Sequence, residues 1–295
     1  MSVERSGAAQ RDTSPAVSPE GYSRPVIAGS GVIACGLAAC ASTLGEVRLL
    51  ARSDESAQRA EDEAREAASK FPEGAPERIS ATTDSAGLEG SELIVESIVE
   101  DLQTKADLLA DLGRISPDAD LATTTSSLRI SEIAAMSGVA ERLFGLHVFN
   151  PVPRMKLVEL CFQPDTPAAT RERAHAWCEA LGKRPVEVPD QAGFVVNRLL
   201  FPFLFDAVRL LEGPAMKPAA VDACMTLGAG HPMGPLELLD FVGLDVALAI
   251  GEELYGESDL RAHEPPRLLR SLVENGRLGR KTGAGFYDYP QGEES

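Results

Sequence analysis

A histidine and a glutamate, His147 and Glu159, lie in one stretch, Phe144 to Leu160, reading FGLHVFNPVPRMKLVEL. A carboxylate beside an imidazole orients the ring and favours its charged form. An imidazole so held can take or return a proton near neutral pH. The two can meet only if the chain between them folds back. His147 stands in a short apolar, β-prone run, Asn150 and a Pro-Val-Pro turn follow, and a second apolar run carries Glu159. This reads as strand, turn, strand, and two such segments can lie side by side. The competing reading is a buried histidine satisfied by a neighbour, since a single His and Glu form a weak motif.

The elements that must present this pair begin upstream. Val26 to Gly45, VIAGSGVIACGLAACASTLG, holds no charged residue. A membrane span is one reading of such a run. It is poor in Leu, Ile and Phe, and Gly29, Gly31 and Gly36 break it, so it reads instead as strand, glycine turn and buried helix. Gly29-Ser30-Gly31-Val32-Ile33-Ala34 fits GxGxxG/A. Gly29 allows a tight turn, Gly31 lets the backbone approach a pyrophosphate, and Ala34 with Gly36 lets helix pack closely on strand. The helix N-terminus then offers N–H groups and partial positive charge to the phosphates. A lone glycine motif is weak; a second strand at Val47 to Ala51 supplies its context.

Further along, Glu55 to Phe71 is an alanine-rich, charged surface helix, and Ser91 to Val99 is an apolar strand of the kind covered on both faces. Glu100 to Leu112 reads as a helix, and Asp120 to Ser127 as a strand running into a Thr/Ser-rich turn. Thr170 to Leu181 is a helix ended by Gly182, and Pro185 to Pro189 one more strand. From Gly193 the texture turns helical: Phe194 to Glu212, Ala219 to Leu227, Pro235 to Leu239 and Leu244 to Leu254. The fold class is therefore α/β: a doubly wound, Rossmann-type parallel sheet domain over 23–190, then an all-helical domain over 191–295. Residues 1–22, rich in Ser, Pro, Gly, Ala and charge, read as a disordered tail without a signal-peptide core.

Composition excludes several function classes. A formal net charge of -17 argues against a nucleic-acid partner. Five scattered cysteines, none in CxxC spacing, point to reduced thiols in a cytoplasm and not to a disulfide frame or a zinc site. No two of the four histidines share metal-ligand spacing on one helix, so no metal is expected. Neither a membrane nor a nucleic acid is an expected partner.

Seven motifs taken in order carry a resemblance: GSGVIACGLA, ESIVEDLQTK, TSSL, GLHVFNPVPRMKLVEL, GFVVNRLLFP, LGAGHPMGPLELLDFVGLD and GRKTGAGFYDY. From about Pro25 to Tyr289 the chain resembles the 3-hydroxyacyl-CoA dehydrogenase family, including the bacterial 3-hydroxybutyryl-CoA dehydrogenases. The resemblance implies a nicotinamide-dependent enzyme that moves a hydride at C3 of a 3-hydroxyacyl or 3-oxoacyl thioester, in a homodimer formed by the helical domain. It implies His147 as general base, Glu159 holding the second ring nitrogen, Ser126 hydrogen-bonding the substrate oxygen and Asn197 placing the substrate. Glu100 and Lys105 match positions near cofactor or substrate, and Asn150 supports the histidine loop. Other readings of the same residues stay open. Ser126 can be a helix cap, Asn197 can cap or bond its own helix, and Glu100 and Lys105 can form a solvated helix face. A dehydrogenase of a small free hydroxy acid and a non-catalytic cofactor-binding relative are the alternative functions.

Three departures from the family pattern set further expectations. Arg52 and Ser53 follow the second strand where an acidic ribose-binding residue is usual, which favours NADP(H), with NAD(H) as the family-based alternative. The competing reading slips the loop by two residues and gives the ribose to Asp54. Thr124 stands where an asparagine commonly precedes TSSL. Between Asp54 and Ser80 the chain is shorter than in many relatives and offers few cations for the CoA nucleotide, so the thioester carrier is CoA or an acyl-carrier protein.

Overall fold

The computed structural model describes residues 21–213 and 216–289. Most of the expected tail over 1–22 thus lies outside the described residues. Its last residue, Tyr22, is buried, and its hydroxyl donates to Asp120 Oδ2 at 2.6 Å beneath the Arg173 guanidinium. Ordered packing therefore begins ahead of residue 23.

One eight-stranded sheet organises the first domain. It comprises β1 (Val26–Ala28), β2 (Val47–Leu50), β3 (Ile79–Thr82), β4 (Leu93–Glu96), β5 (Asp120–Thr123), β6 (Leu143–Val148), β7 (Leu157–Phe162) and β8 (Arg184–Glu187). Their spatial order is β3-β2-β1-β4-β5-β6-β7-β8. The first six strands are parallel, as expected of a doubly wound sheet. The last two strands extend this sheet: β7 is antiparallel to β6, as the strand-turn-strand reading of Phe144 to Leu160 expects, and β8 runs parallel to β7. A parallel crossover needs a dozen or more residues, usually through a helix, and the short proline turn after β6 permits only a hairpin. The strand β3 was not expected; only Ile79 of its four residues is buried, so it leaves little apolar pattern to read.

The helices follow from which face each must bury. In α1 (Val32–Ala41) eight of ten residues are buried, which explains the uncharged run: it is packed between sheet and neighbouring helix. Among the described residues no helix is long and apolar enough to cross a membrane. In α2 (Asp54–Ser69), Ala57, Ala60, Ala64 and Ala68 form one buried stripe beneath a charged outer face. Helices α3 (Leu102–Ile115), α4 (Ile130–Ser137) and α5 (Ala168–Ala180) complete the cover. β4 and β5 are buried at every residue, which for β4 is why the segment around it reads as a nearly continuous apolar run.

The second domain consists of α6 (Val196–Leu211), α7 (Pro218–Ala223), α8 (Pro235–Val242), α9 (Leu244–Ser258) and α10 (Arg267–Glu274). Phe201, Leu204, Phe205, Leu236, Leu239 and Leu254 form its core. Two buried aspartates tie the ends together. Asp222 accepts the N–H groups of Leu236 and Glu237 and the Tyr287 hydroxyl; Asp240 accepts those of Phe286 and Tyr287 and the Tyr289 hydroxyl. The GRKTGAGFYDY motif is thereby clasped to the bundle.

Candidate active site

The hairpin β6–β7 sets His147 directly opposite Glu159. Directly opposed residues project from the same face. His147 Nδ1 lies 2.6 Å from Glu159 Oε2. A carboxylate only accepts, so Nδ1–H donates, and in the neutral ring Nε2 keeps its lone pair. Both residues are buried, His147 at 4% and Glu159 at 2% exposure. The second carboxylate oxygen, Oε1, accepts the N–H groups of Val195 at 3.1 Å and Val196 at 2.9 Å. These two amides open α6, so the helix N-terminus of the second domain adds favourable partial charge to an anion buried in the first. A buried charge lacking such partners is costly, and Glu159 has three.

Ser126 sits in the turn between β5 and α4. Its N–H donates to Glu100 Oε1 at 2.7 Å, and its carbonyl accepts from Asn197 Nδ2 at 3.3 Å. The residue is thus held from both domains. Neither capping reading survives: α4 is entered from Arg129, and the Asn197 amide reaches across to Ser126. Thr125 Oγ1 at 2.6 Å and Ser127 N–H at 3.0 Å also donate to Glu100 Oε1. Glu100 therefore gathers the TSSL turn around one oxygen.

The solvated-face reading fails for Lys105, which is 1% exposed. Its Nζ lies 2.8 Å from Glu96 Oε1 and 3.2 Å from Glu100 Oε2. Glu96 is itself fully buried and accepts from Thr123 Oγ1 at 2.6 Å and Ile98 N–H at 2.7 Å. Burial alone raises the Glu100 pKa; the Lys105 ammonium and the bonds from Thr125, Ser126 and Ser127 outweigh it and hold the carboxyl below its ordinary range.

At the glycine turn, Gly29 has φ 157°, and a Cβ there would lie 2.0 Å from the Ser97 carbonyl oxygen. A Cβ on Gly31 would meet nothing within 4 Å. Gly31 caps α1 without any side-chain bond, and Val32 is 64% exposed. Among the described residues the first N–H groups of α1 thus have no side-chain partner, and there is open space before them, which fits a pyrophosphate. Ser30 and Ile33 line this turn half-buried, and Ala34 is buried behind it.

After β2, Ala51 is buried and Arg52 is exposed. Ser53 caps α2 in a reciprocal capping box with Ser56, which engages its hydroxyl. Asp54 Oδ1 accepts from Thr83 Oγ1 at 3.0 Å. Thr83 follows β3, which flanks β2 on the side away from β1 and its glycine turn. Asp54 is therefore drawn away from the nucleotide side.

Among the described residues no group of three or more His, Cys, Asp or Glu could hold a metal ion. Burial pushes the thiols of Cys35, Cys161 and Cys178 up to about 12, which leaves them poor nucleophiles. His231 packs on Phe203, and Lys281 pairs with Asp245 at 2.6 Å.

Sequence reasoning missed Glu96, Phe194 and the Val195–Val196 amide pair. A lone carboxylate in the apolar strand LIVE was a usable signal for Glu96. The backbone donors carry no residue-type signal at all.

Comparison with known proteins matches residues 26–191 to the family described as 3-hydroxyacyl-CoA dehydrogenase, NAD binding domain. Residues 193–289 match 3-hydroxyacyl-CoA dehydrogenase, C-terminal domain. The chain is 39% identical over 284 residues to the mitochondrial hydroxyacyl-coenzyme A dehydrogenase of Homo sapiens, covering 89% of this chain and 90% of that one. It is 42% identical over 214 residues to the 3-hydroxybutyryl-CoA dehydrogenase of Mycobacterium tuberculosis, covering 72% and 75%. Among solved structures it resembles the (S)-3-hydroxybutyryl-CoA dehydrogenase of Ralstonia eutropha, with TM-score 0.86, 33% identity and coverage of 92% and 100%.

Proposed function

The chain belongs to the 3-hydroxyacyl-CoA dehydrogenase family, and from that membership we propose that it transfers a hydride between a nicotinamide cofactor and C3 of a 3-hydroxyacyl or 3-oxoacyl thioester. The observation that carries the reading is the buried pair His147 Nδ1 to Glu159 Oε2 at 2.6 Å, which leaves Nε2 as a base. In the oxidative direction Nε2 takes the proton of the 3-hydroxyl, and Glu159 stabilises the imidazolium that forms. In the reductive direction the imidazolium returns that proton to the oxygen at C3. The cofactor, when bound, accepts or supplies the hydride. Ser126 donates to the oxygen at C3, and Asn197, bonded to Ser126, fixes the substrate against the ring. Positioned proton transfer is worth ~10²–10⁴-fold in rate.

The cofactor reading is NADP(H), with NAD(H) as the family alternative. It is supported by Ala51 ending the strand without a carboxylate, by Asp54 turning to Thr83, and by Arg52, which makes no hydrogen bond or ion pair among the described residues. Because the Ser53 hydroxyl is committed to its cap, recognition of a 2'-phosphate rests on Arg52.

Partners follow from the same surfaces. The cations of the shortened segment are engaged within the chain: Arg65 with Glu61 at 2.8 Å, Lys70 with Glu66 at 2.8 Å, and Arg78 with the carbonyls of Ser42 and Thr43. Arg59 lies 3.9 Å from Glu63. This supports a thioester site that depends weakly on the CoA nucleotide and admits a pantetheine or carrier-protein thioester. Exposed Leu199, Leu210, Leu227 and Phe241 on the helical domain support a homodimer through that domain. Five free cysteines are in keeping with a cytoplasmic enzyme.

The deciding experiment is a cofactor-oxidation assay with acetoacetyl-CoA, a carrier-bound analogue and free acetoacetate, each with NADPH and NADH. Turnover of a thioester is expected. Turnover of acetoacetate alone would assign a free-acid dehydrogenase, and no turnover of any a non-catalytic relative.

A further inference from the structure

Two successive residues ahead of α6, Gly193 and Phe194, have positive φ, 72° and 45°. Glycine adopts this region freely. For phenylalanine it crowds Cβ against the backbone, and large side chains are rarely found there. Such an outlier persists only where its surroundings over-determine it, and outliers gather at functional sites.

Three sets of contacts hold Phe194 in place. Its N–H donates to the Gln191 carbonyl at 3.0 Å, and its own carbonyl accepts from Gln191 Nε2 at 2.8 Å. Its ring is fully buried, with its centroid 5.4 Å from that of the His147 imidazole. The next two N–H groups, of Val195 and Val196, both reach Glu159 Oε1. The left-handed turn is what directs these two amides back at β7. A second ring, Phe149, lies 4.5 Å from the imidazole. His147 is thus oriented by a carboxylate at Nδ1 and by two aromatic neighbours. One of those rings, and the anchorage of the carboxylate, depend on Phe194.

We propose that Phe194 is a positioning residue for the proton transfer: its left-handed backbone aims the Val195 and Val196 amides at Glu159, while its ring fixes the plane of His147. The inference rests on the reading of His147 and Glu159 as the acid/base pair. Aromatic faces attract a neighbouring cation. Phe194 therefore favours the imidazolium twice, through its ring and through the carboxylate that it keeps in place.

The test compares Phe194→Leu and Phe194→Tyr by kcat, KM and the pH profile of kcat in the oxidative direction, with cofactor binding followed by fluorescence. Phe194→Leu should lower kcat by about tenfold to a hundredfold, as a displaced catalytic group does. The acidic limb of its profile should move to lower pH by about half a unit or more, because the imidazolium has lost support. Cofactor affinity should stay within about twofold. Phe194→Tyr, which keeps ring and backbone, should restore both kcat and profile. If Phe194→Leu fails to bind cofactor, Phe194→Gly decides by the same two readouts, since it adopts this φ without strain and removes only the ring. Wild-type kcat, or a lowered kcat with an unmoved limb, overturns the proposal. His147→Ala, run alongside, separates the two readings. If it too retains turnover, the acid/base reading falls; if it loses turnover while Phe194 variants do not, only the role of Phe194 falls.

Discussion

His147 and Glu159 are direct cross-strand partners in the antiparallel pair β6–β7, and their side chains meet at 2.6 Å on the buried face of the hairpin. The hairpin register thus sets the geometry of the proposed acid/base pair, while the far oxygen of the carboxylate is fastened to the other domain. His147→Ala should leave cofactor binding nearly intact and cut kcat by ~10²–10⁴-fold, the typical worth of general acid–base catalysis. Glu159→Gln should keep the fold, since an amide oxygen can still accept from Val195 and Val196, and should lower kcat to a lesser degree. Steady-state kinetics with a fluorescence titration of the cofactor check both. Near wild-type turnover by His147→Ala would sink the mechanism.

The proposed preference for NADP(H) rests on Arg52. A charge-assisted hydrogen bond contributes ~1.5–3 kcal/mol, and tenfold in affinity corresponds to about 1.4 kcal/mol. Arg52→Asp should therefore lower kcat/KM for NADPH by at least about tenfold, with little change for NADH. A wild-type enzyme that clearly prefers NADH would remove Arg52 from the 2'-phosphate.

The thioester carrier is open to direct comparison. With Arg65, Lys70 and Arg78 engaged inside the chain, the CoA nucleotide has few free cations to meet on this segment. Catalytic efficiencies on acetoacetyl-CoA and acetoacetyl-pantetheine should agree within about tenfold, a difference of about 1.4 kcal/mol. A much larger loss on removing the nucleotide would contradict the expectation.

Leu227 is 87% exposed and Leu199 71%, in a domain whose other large apolar side chains are mostly covered. A symmetric dimer through residues after Gly193 buries such a surface. Light scattering at micromolar concentration should give twice the chain mass; a monomer mass would refute the dimer.

The two domains also meet across a cavity of about 280 Å³ whose lining includes Arg129, Glu132, Glu252, Glu253 and Glu257. Arg129 and Arg198 both pair with Glu257, while burial and then the charges of Glu132, Glu100 and Glu257 raise the pKa of Glu253. A carboxyl whose pKa is raised by folding binds its proton more tightly in the folded chain. Its contribution is fully present below the ordinary carboxylate range and is lost as pH rises through the raised value. Glu253→Gln should therefore unfold at a higher temperature than wild type above that window, and at the same temperature well below it. Thermal unfolding followed from acid to pH 8 checks the sign; a variant less stable than wild type at pH 8 would show it to be wrong.

By itself the sequence determined the His147–Glu159 pair and most of the elements, though not β3, α4 or α10. The glycine turn, the apolar strands Val26–Ala28 and Leu93–Glu96, and the alanine stripe of α2 are local patterns, set by period and residue type within one segment. His147 and Glu159 could be named from one local stretch, while Ser126 and Asn197 were named only through the family resemblance of their motifs. Apart from the pairing of His147 with Glu159, tertiary structure decided what those residues touch. The burial of Lys105 between two glutamates and the turn of Asp54 towards Thr83 depend on which elements become neighbours. The anchoring of Glu159 is furthest from the sequence, because its donors are backbone amides of Val195 and Val196. A backbone N–H is common to every residue but proline, so only the path of the chain through Gly193 and Phe194 makes these two part of the site.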